Sequence, residues 1–389
     1  MALPAKFSGR ARRFFFVLHL WTGLSLGVWL SLIGLTGSLL AWMPELVTIE
    51  AQSRYPKAPG EDKMTLSGAL AAFKTRYPDL AAKELSSVQM PTGRYPYYVV
   101  FRRVEGQINV IMADPVSGRV FPMYRLKDLQ MGKVIEFHTS LLFGIPGLLG
   151  NGVLSFFALL LLSSGLWLWW PSNWRQFKAR ISVKNGGSLS RRVRDWHNVL
   201  GIYLYSILFV TTLTAVLLVV NHATRGGLEK AVDKRAGAVE AEYQAVPNGA
   251  RLGVDELVLL AQKAVPDAPI DGVRLPLEAD APFQSRHLRP SGFLNSSVVS
   301  IDPYSGKTLG VEHDRDGTPG HKTLTLVQDL HFGTFGGALT KWLYTLAGIL
   351  PLGLFITGVM MWRKRLKNQK KGRVQNAGEE RRAETVEAA

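Results

Sequence analysis

The sequence predicts an α-helical membrane protein in which a two-helix unit occurs twice, giving a four-helix transmembrane bundle with two α+β domains outside the membrane. Three observations support this fold class. Four apolar segments approach or exceed the ~20 residues that a helix needs to cross the hydrocarbon core. The second half of the chain aligns with the first, and the long segments between the spans of each half are mostly polar.

The two halves match without a gap around their first apolar segments. His19 and His197 occupy equivalent positions, and a glycine follows each of them four positions later. His138 and His331 correspond in the same way, because a glycine lies 27 positions beyond each. The pattern indicates an internal duplication of helix, outer domain and helix.

The two polar segments repeat one order of elements. Each begins with an amphipathic helix, predicted at 64–77 and at 254–265, and continues into strands. Each also contains an Asp-Pro-x-Ser-Gly hairpin turn, at 114–118 and at 302–306, in which proline presets φ and glycine supplies a positive φ. The turn is common by itself, but its recurrence at the same place in both halves supports the duplication.

Basic residues flank the apolar spans on one side of the membrane. Four precede the first span (6–13), seven lie between the second and third (175–194), and seven follow the fourth (363–373), with no acid in these windows. By the positive-inside tendency, both termini and the central loop are expected in the cytoplasm, with the large polar segments outside. The formal charge of +16 therefore indicates topology rather than nucleic-acid binding, and the spans are expected to contact membrane lipid.

These observations divide the chain into nine segments. The first span is too long for a signal peptide and has no small-residue cleavage site close behind it, so we expect it to remain as an anchor. In order, the segments are the basic cytoplasmic N-terminus (1–13), transmembrane helix 1 (14–43), outer domain 1 (44–137), an interfacial segment with transmembrane helix 2 (138–170), the basic cytoplasmic loop (171–194), transmembrane helix 3 (195–221), outer domain 2 (222–330), an interfacial segment with transmembrane helix 4 (331–362), and the charged cytoplasmic tail (363–389).

The four repeat-related histidines are the candidate cofactor ligands, because an ionisable side chain is costly in a bilayer. A pseudo-twofold axis along the membrane normal would place His19 opposite His197 near the cytoplasmic face, and His138 opposite His331 near the outer face. Two neutral imidazoles can bind one haem iron from opposite sides, so we expect two haems. The chain has no cysteine, which excludes covalent haem attachment and cysteine-ligated clusters, so both haems would be non-covalent and b-type.

Other interpretations of the histidines are open. They can be packing residues, or ligands of a non-haem metal, although such a site would favour carboxylate companions. Only Glu136 and Asp195 stand beside the pairs, where they can instead accept the second ring N–H. His222 is a further candidate axial ligand, with interface packing as its alternative. The remaining histidines are expected on the solvated surface: His287, His313 and His321.

The chain resembles the PepSY-associated transmembrane family. The matching features are Leu18-His19-x-Trp21-Thr22-Gly23 at the first span, Asp195-Trp196-His197 at the third, and His138 and His331 ahead of the other two. The outer domains with their Asp-Pro-x-Ser-Gly turns resemble PepSY modules. Within the family, the chain is most similar to the ferrisiderophore reductases of the bacterial inner membrane, which are four-helix proteins with two haems.

This resemblance implies a function. His19 and His197 would be axial ligands of an inner haem, and His138 and His331 of an outer one, with electrons passing from a cytoplasmic or quinol donor to a periplasmic ferric siderophore or other Fe(III) chelate. Iron would leave as Fe(II). Two alternatives remain: a haem-free PepSY protein that regulates or binds other molecules, and a membrane cytochrome subunit of a larger oxidoreductase.

Overall fold

The computed structural model describes residues 9–92, 95–104, 107–184, 186–236 and 243–387. The chain divides into two compact units. The helical unit comprises Met1–Ser38, Gly152–Val216 and Leu343–Ala389, and the sheet unit comprises Leu39–Asn151 and Leu217–Trp342. The helices are α1 (Gly9–Leu40), α2 (Met43–Arg54), α3 (Leu66–Arg76), α4 (Ala82–Leu85), α5 (Gln130–Ser140), α6 (Gly144–Trp169), α7 (Trp174–Arg180), α8 (Leu189–Tyr203), α9 (Tyr205–Ala223), α10 (Gly227–Ala236), α11 (Val254–Ala264), α12 (Pro319–Phe332) and α13 (Gly337–Glu387).

Within the described ranges, four helices are long and apolar enough to cross a membrane: α1, α6, α9 and α13 as far as Gln375. Their apolar side chains are largely exposed, and only 11% of the most apolar window of α1 is buried within the protein. Such a surface is costly in water and suits lipid, where a helix satisfies its own backbone hydrogen bonds. The chain is therefore a multi-pass membrane protein, as the hydropathy predicted.

The third predicted span differs from the single helix expected over 195–221. The structure breaks this region at Leu204, which lies between the end of α8 at Tyr203 and the start of α9 at Tyr205. The break coincides with a change in composition, because α8 begins with basic residues whereas α9 has no Lys, Arg, Asp or Glu. His197 therefore lies on α8, ahead of the third spanning helix.

Small residues allow α1 and α13 to pack closely in the helical unit. A Cβ atom added at Gly34 would collide with the carbonyl oxygen of Gly348, and one added at Gly348 would collide with that of Gly34. Next to this crossing, the Ser38 hydroxyl donates to the carbonyl oxygen of Thr345 at 2.8 Å. Close backbone approach at small residues, with a hydroxyl donor across the interface, is a common way for helices to associate in lipid.

The sheet unit contains one antiparallel sheet of eight strands in the order β4-β3-β2-β1-β5-β6-β7-β8. The strands are β1 (Ser87–Gln89), β2 (Tyr98–Val104), β3 (Gln107–Ala113), β4 (Tyr124–Arg125), β5 (Ile270–Arg274), β6 (Phe283–Leu288), β7 (Ser296–Ile301) and β8 (Thr308–His313). Each polar segment contributes four strands, and β1 joins them by pairing with β5, with Val88 opposite Val273. The two expected outer domains thus share a sheet, since this pairing satisfies edges that would otherwise expose backbone groups.

The two predicted amphipathic helices form the main core with one face of this sheet. Phe73 of α3 and Leu257 of α11 pack in a cluster with Val100, Ile111 and Val299 of the strands. Helix α3 begins after Thr65, within the range predicted for it, and the Thr65 hydroxyl accepts a hydrogen bond from a backbone N–H of the first turn. Burial of these apolar side chains is the main stabilising contribution to the fold of this unit.

The two Asp-Pro-x-Ser-Gly turns have the same geometry. Gly118 and Gly306 adopt φ of +73° and +72°, and each donates its N–H to the aspartate carbonyl that opens the turn at 2.9 Å. Asp114 and Asp302 also accept hydrogen bonds through their carboxylates. Burial opposes the charge on Asp114, but its hydrogen bonds outweigh that effect and lower its pKa. Glycine is required in these turns because other residues rarely adopt this φ.

His287 differs from the prediction of a solvated surface position. Its side chain is fully buried at 0% exposure on β6. One ring nitrogen, Nε2, is hydrogen-bonded to the Ser285 hydroxyl at 3.0 Å, and the other, Nδ1, to the carbonyl oxygen of Ala268 at 3.1 Å. The prediction was wrong because the alternation of strand side chains, not local polarity, turned this imidazole inward. His313 and His321 are only partly exposed.

The buried imidazole gives a testable pH dependence. Burial lowers the pKa of His287 below its usual 6.5, so the folded protein holds the ring neutral while the unfolded chain can bind a proton. Its stabilising contribution is therefore present above about pH 6.5 and lost as the pH falls. We expect Tm to drop between about pH 7.5 and about pH 5, and His287→Gln to show a smaller drop. An equal drop in both proteins would contradict this assignment.

Candidate functional site

His19 on α1 and His197 on α8 lie next to each other in the helical unit. Their ring centroids are 6.3 Å apart, and the ring planes are nearly perpendicular at 87°. Both side chains are partly buried. The sequence predicted this pairing from the alignment of the two halves, and the structure brings the two rings together.

The Nδ1 atom of His19 is held by the neighbouring helix α6. It lies 3.1 Å from the carbonyl oxygen of Leu161 and 3.2 Å from the hydroxyl oxygen of Ser164. The carbonyl can only accept, and the Ser164 hydroxyl already donates to that same carbonyl at 2.9 Å. The proton of a neutral His19 ring therefore belongs on Nδ1.

His197 is held in an equivalent way by α13. Its Nδ1 atom lies 2.9 Å from the hydroxyl oxygen of Thr357, which donates its own proton to the carbonyl oxygen of Gly353 at 2.8 Å. The hydroxyl oxygen is thus left to accept, so Nδ1 of His197 donates. Ser164 and Thr357 are 193 positions apart, which is also the separation of His138 and His331.

These hydrogen bonds leave Nε2 of each ring unprotonated. An unprotonated imidazole nitrogen has a lone pair that a metal ion can accept, and a hydrogen bond from the other ring nitrogen is typical of metal-binding histidines. The distance also fits. Two metal–nitrogen bonds of about 2.0–2.1 Å, each extended by roughly 1.1 Å from nitrogen to ring centroid, would separate the centroids by about 6.2–6.4 Å. The observed centroid separation is 6.3 Å.

A cavity of about 690 Å³ in the helical unit is lined by both histidines. Its volume lies in the range of small-molecule and cofactor sites, ~300–1,000 Å³. Most of its wall is apolar, with Leu20, Leu161 and Phe355 among the lining residues. Such walls exclude water from a porphyrin and leave few polar groups to satisfy.

Two glycines allow the helices to approach the histidine rings. A Cβ atom at Gly165 would lie 2.9 Å from Cε1 of His19, and one at Gly358 would lie 3.8 Å from Cε1 of His197. A side chain at position 165 would therefore press against the His19 ring. A Cβ atom at position 358 would be in ordinary van der Waals contact with the His197 ring. These are the glycines 27 positions beyond His138 and His331, so the alignment had paired them without revealing that they adjoin the other histidine pair.

Polar groups of the cavity were not identified from the sequence. Four arginines line it: Arg12, Arg13, Arg194 and Arg365. Trp169 also lines it, and its Nε1 atom is buried without a hydrogen-bond partner among the described residues. Guanidinium groups bind carboxylates well, and a buried unpaired donor is costly unless a ligand satisfies it. The four arginines belong to the basic windows that indicate topology, and no sequence motif marks them or Trp169 as part of a cavity.

His138 on α5 and His331 on α12 form a second pair, in the sheet unit. Their ring centroids are also 6.3 Å apart, with an interplanar angle of 56°. Both rings are partly exposed. Asn151 donates from its side-chain amide to the carbonyl oxygen of His138 at 2.7 Å. Near His331, burial raises the pKa of Asp329, whose carboxylate accepts the backbone N–H of Leu294 at 3.0 Å.

His222 and Asp195 do not have the roles suggested for them as an axial ligand and as a hydrogen-bond acceptor for a histidine. The His222 side chain is exposed at the end of α9, and no ring contact joins it to either pair within the described ranges. The suggestion that Asp195 accepts the second N–H of a histidine is wrong for the inner pair, because Ser164, Thr357 and a backbone carbonyl have that role. Asp195 instead accepts the backbone N–H of Lys184 at 3.4 Å.

The ligand set does not favour a non-haem metal. In the part of the chain that the structure describes, no group of three or more His, Cys, Asp or Glu side chains could hold a metal ion. A pair of opposed imidazoles supplies only two ligands, which suits a metal whose other positions are filled by a macrocycle. The residues present therefore fit haem.

Comparison with known proteins places the chain in a family. None of the curated proteins matches it. The family model for the PepSY-associated transmembrane region matches residues 16–365, a range that contains all four paired histidines. The chain therefore belongs to the PepSY-associated transmembrane family.

Proposed function

We propose that this protein is an inner-membrane di-haem reductase that passes electrons from the cytoplasmic side to a periplasmic ferric siderophore or other Fe(III) chelate, releasing iron as Fe(II). The observation that carries the proposal is the occurrence of two histidine pairs with the same centroid separation, 6.3 Å. Such a separation fits coordination of one iron between each pair.

Each part of the chain has a role in this proposal. His19 and His197 would hold the inner haem, and His138 and His331 the outer one. A bound haem supplies a one-electron Fe(III)/Fe(II) couple. The apolar cavity walls keep water from the inner site. Carboxylate substituents of the cofactor can pair with the four arginines that line the cavity: Arg12, Arg13, Arg194 and Arg365.

The orientation follows from charge and repetition. The basic windows favour a cytoplasmic location for the region near His19 and His197, with the sheet unit in the periplasm. The matched contacts of His19 with Ser164 and of His197 with Thr357 support a duplicated two-helix unit with two PepSY-like modules. Reduction releases iron because hard oxygen ligands of chelates hold Fe(III) more strongly than Fe(II).

The test is a visible spectrum of the detergent-purified protein, oxidised and then reduced with dithionite, followed by addition of a ferric siderophore. We expect low-spin haem bands in the reduced protein, their reoxidation by the chelate, and Fe(II) trapped by ferrozine. A colourless protein would refute the proposal in favour of a haem-free regulatory or binding function. A red protein that is inert toward ferric chelates would instead indicate a cytochrome subunit of a larger oxidoreductase.

Replacing Thr357 tests the inner site through a residue that would not touch iron. Thr357→Val removes the acceptor for Nδ1 of His197 and keeps the side-chain shape. Loss of such a partner typically weakens metal binding by about 10–100-fold, so we expect faster transfer of one of the two haems to apomyoglobin. Transfer of the other haem should be unchanged.

Two variants control for this effect. Thr357→Ser keeps the hydroxyl and should retain both haems at the wild-type rate. Ser164→Ala should have a smaller effect than Thr357→Val, because the Leu161 carbonyl still accepts from Nδ1 of His19. Equal rates in the Val and Ser variants at position 357 would show that the hydroxyl does not hold His197 in place.

A further inference from the structure

The two halves of the sheet unit differ in one hairpin. Strands β2 and β3 are joined by two residues, whereas seven residues, 289–295, join the corresponding strands β6 and β7. We refer to these seven residues as the β6–β7 loop. The connections between β1 and β2 and between β5 and β6 are both eight residues long, so the length of the β6–β7 loop is a feature of the second half alone.

The β6–β7 loop is attached to the chain on both sides of His331. The backbone N–H of Leu294 donates to the carboxylate of Asp329 at 3.0 Å, and the backbone N–H of Gly292 donates to the carbonyl oxygen of Phe335 at 2.8 Å. The rings of Phe293 and Phe335 are stacked, with centroids 4.2 Å apart and an interplanar angle of 16°. The two residues that the loop contacts, Asp329 and Phe335, thus lie two residues before and four residues after His331.

The loop adopts an unusual backbone to make these contacts. Leu294 has φ of +52°, a left-handed conformation that is unfavourable for a side chain of this kind, and Gly292 has φ of +114°. Backbone strain of this kind persists only where the surrounding contacts compensate for it. The hydrogen bonds and the ring stack therefore hold one defined loop conformation against the end of α12.

His138 is fixed by a different element. Asn151 of α6 donates to the carbonyl oxygens of His138 and Thr139 at 2.7 and 3.3 Å. The position equivalent to Asn151 in the second half, 193 residues later, is Tyr344, which has no side-chain amide. One histidine of the outer pair is therefore anchored from a spanning helix, and the other is flanked by a loop of the sheet.

We propose that the β6–β7 loop is a positioning element for His331, so that the outer domain controls one axial ligand of the outer haem. The inference rests on the proposed function insofar as the His138–His331 pair holds haem. Phe293 is the key side chain, because its ring joins the loop to Phe335 while remaining 38% exposed to solvent. Its loss would loosen the turn after His331 without removing a ligand.

The experiment uses carbon monoxide, which binds reduced haem when an axial position is open. The full-length protein with Phe293→Ala is reduced with dithionite and titrated with carbon monoxide, while the Soret band and the haem content are recorded. We expect a carbon monoxide-reactive fraction approaching about half of the total haem, since only one of the two sites is affected. The wild-type protein should show almost none, because two histidines would hold the iron in each site.

Two matched variants identify the cause. Phe293→Tyr keeps a stacking ring and should restore the wild-type spectrum. Phe101→Ala removes another exposed aromatic ring of the same sheet, 42% exposed, and should also behave as wild type. Reactivity in Phe101→Ala equal to that in Phe293→Ala would overturn the inference, since it would reflect general loosening of the sheet.

The outcomes separate this inference from the proposed function. A haem-loaded wild-type protein together with an inert Phe293→Ala variant would overturn the positioning role alone. Equal carbon monoxide binding by the wild type and the variant would do the same. A colourless wild-type protein would overturn the proposed function, and the positioning role with it.

Discussion

Substitution of His19 or His197 by alanine is expected to lower the haem content from two equivalents to one and to abolish reduction of Fe(III) chelates. Each residue supplies one side of the inner pair, whose ring centroids are 6.3 Å apart, so either variant would keep only one of the two imidazoles that would hold the inner haem. If the proposed function holds, the remaining haem should stay oxidised in spheroplasts, because the path from a cytoplasmic donor would be interrupted. A pyridine-haem assay and a spectrum of intact spheroplasts measure both results.

Two comparisons make this prediction specific. His222→Ala should keep two equivalents, since the His222 side chain is exposed and has no ring contact with either pair in the described chain. His19→Gly should regain haem when imidazole is added, because the free ligand can enter the space that the side chain leaves. Two equivalents of haem in both alanine variants would refute the inner-site assignment.

Substitution of His138 or His331 by alanine should remove the outer haem and leave the inner haem in place. The two pairs lie in different units of the chain, so loss of one set of ligands should not disturb the other. The inner haem should still be reduced in spheroplasts by the cell's own donor, whereas Fe(II) formation from a ferric siderophore should fall to background. Haem content, the spheroplast spectrum and ferrozine absorbance test these three statements.

The inner and outer variants are expected to differ in one decisive respect. Both classes retain one haem, but only in the outer-pair variants should that haem become reduced from the cytoplasmic side. His321→Ala is a suitable control for loss of a histidine in the sheet unit, since its ring pairs with Asp314 at 3.1 Å rather than with either histidine pair. The same redox behaviour in both classes would argue against an ordered path from inside to outside.

Much of the architecture was predictable because its causes are local. Hydropathy identified the four spanning helices, and the Asp-Pro-x-Ser-Gly turns identified two hairpins whose glycines adopt positive φ. The alignment of the halves paired His19 with His197 and His138 with His331, and each pair lies close together in the structure. Family membership also followed from motifs that can be read directly from the chain.

Other features depend on distances between helices and strands, which no local pattern contains. The partners of the histidine Nδ1 atoms, Ser164 and Thr357, are ordinary hydroxyl residues of apolar helices when taken by themselves. The acids next to the histidines in sequence looked like better partners, yet Asp195 contacts Lys184 instead. Likewise, the pairing of β1 with β5 joins segments separated by more than one spanning helix.

The sequence alone therefore determined the number of spanning helices and which histidines belong together, since hydropathy and repetition are properties of the chain itself. Only the tertiary structure decided that Nδ1 of each inner histidine is hydrogen-bonded, leaving Nε2 for a ligand, and that His287 is buried. The physical reason is that hydrogen bonding and burial act between side chains that packing brings together, over spacings that the order of residues does not specify.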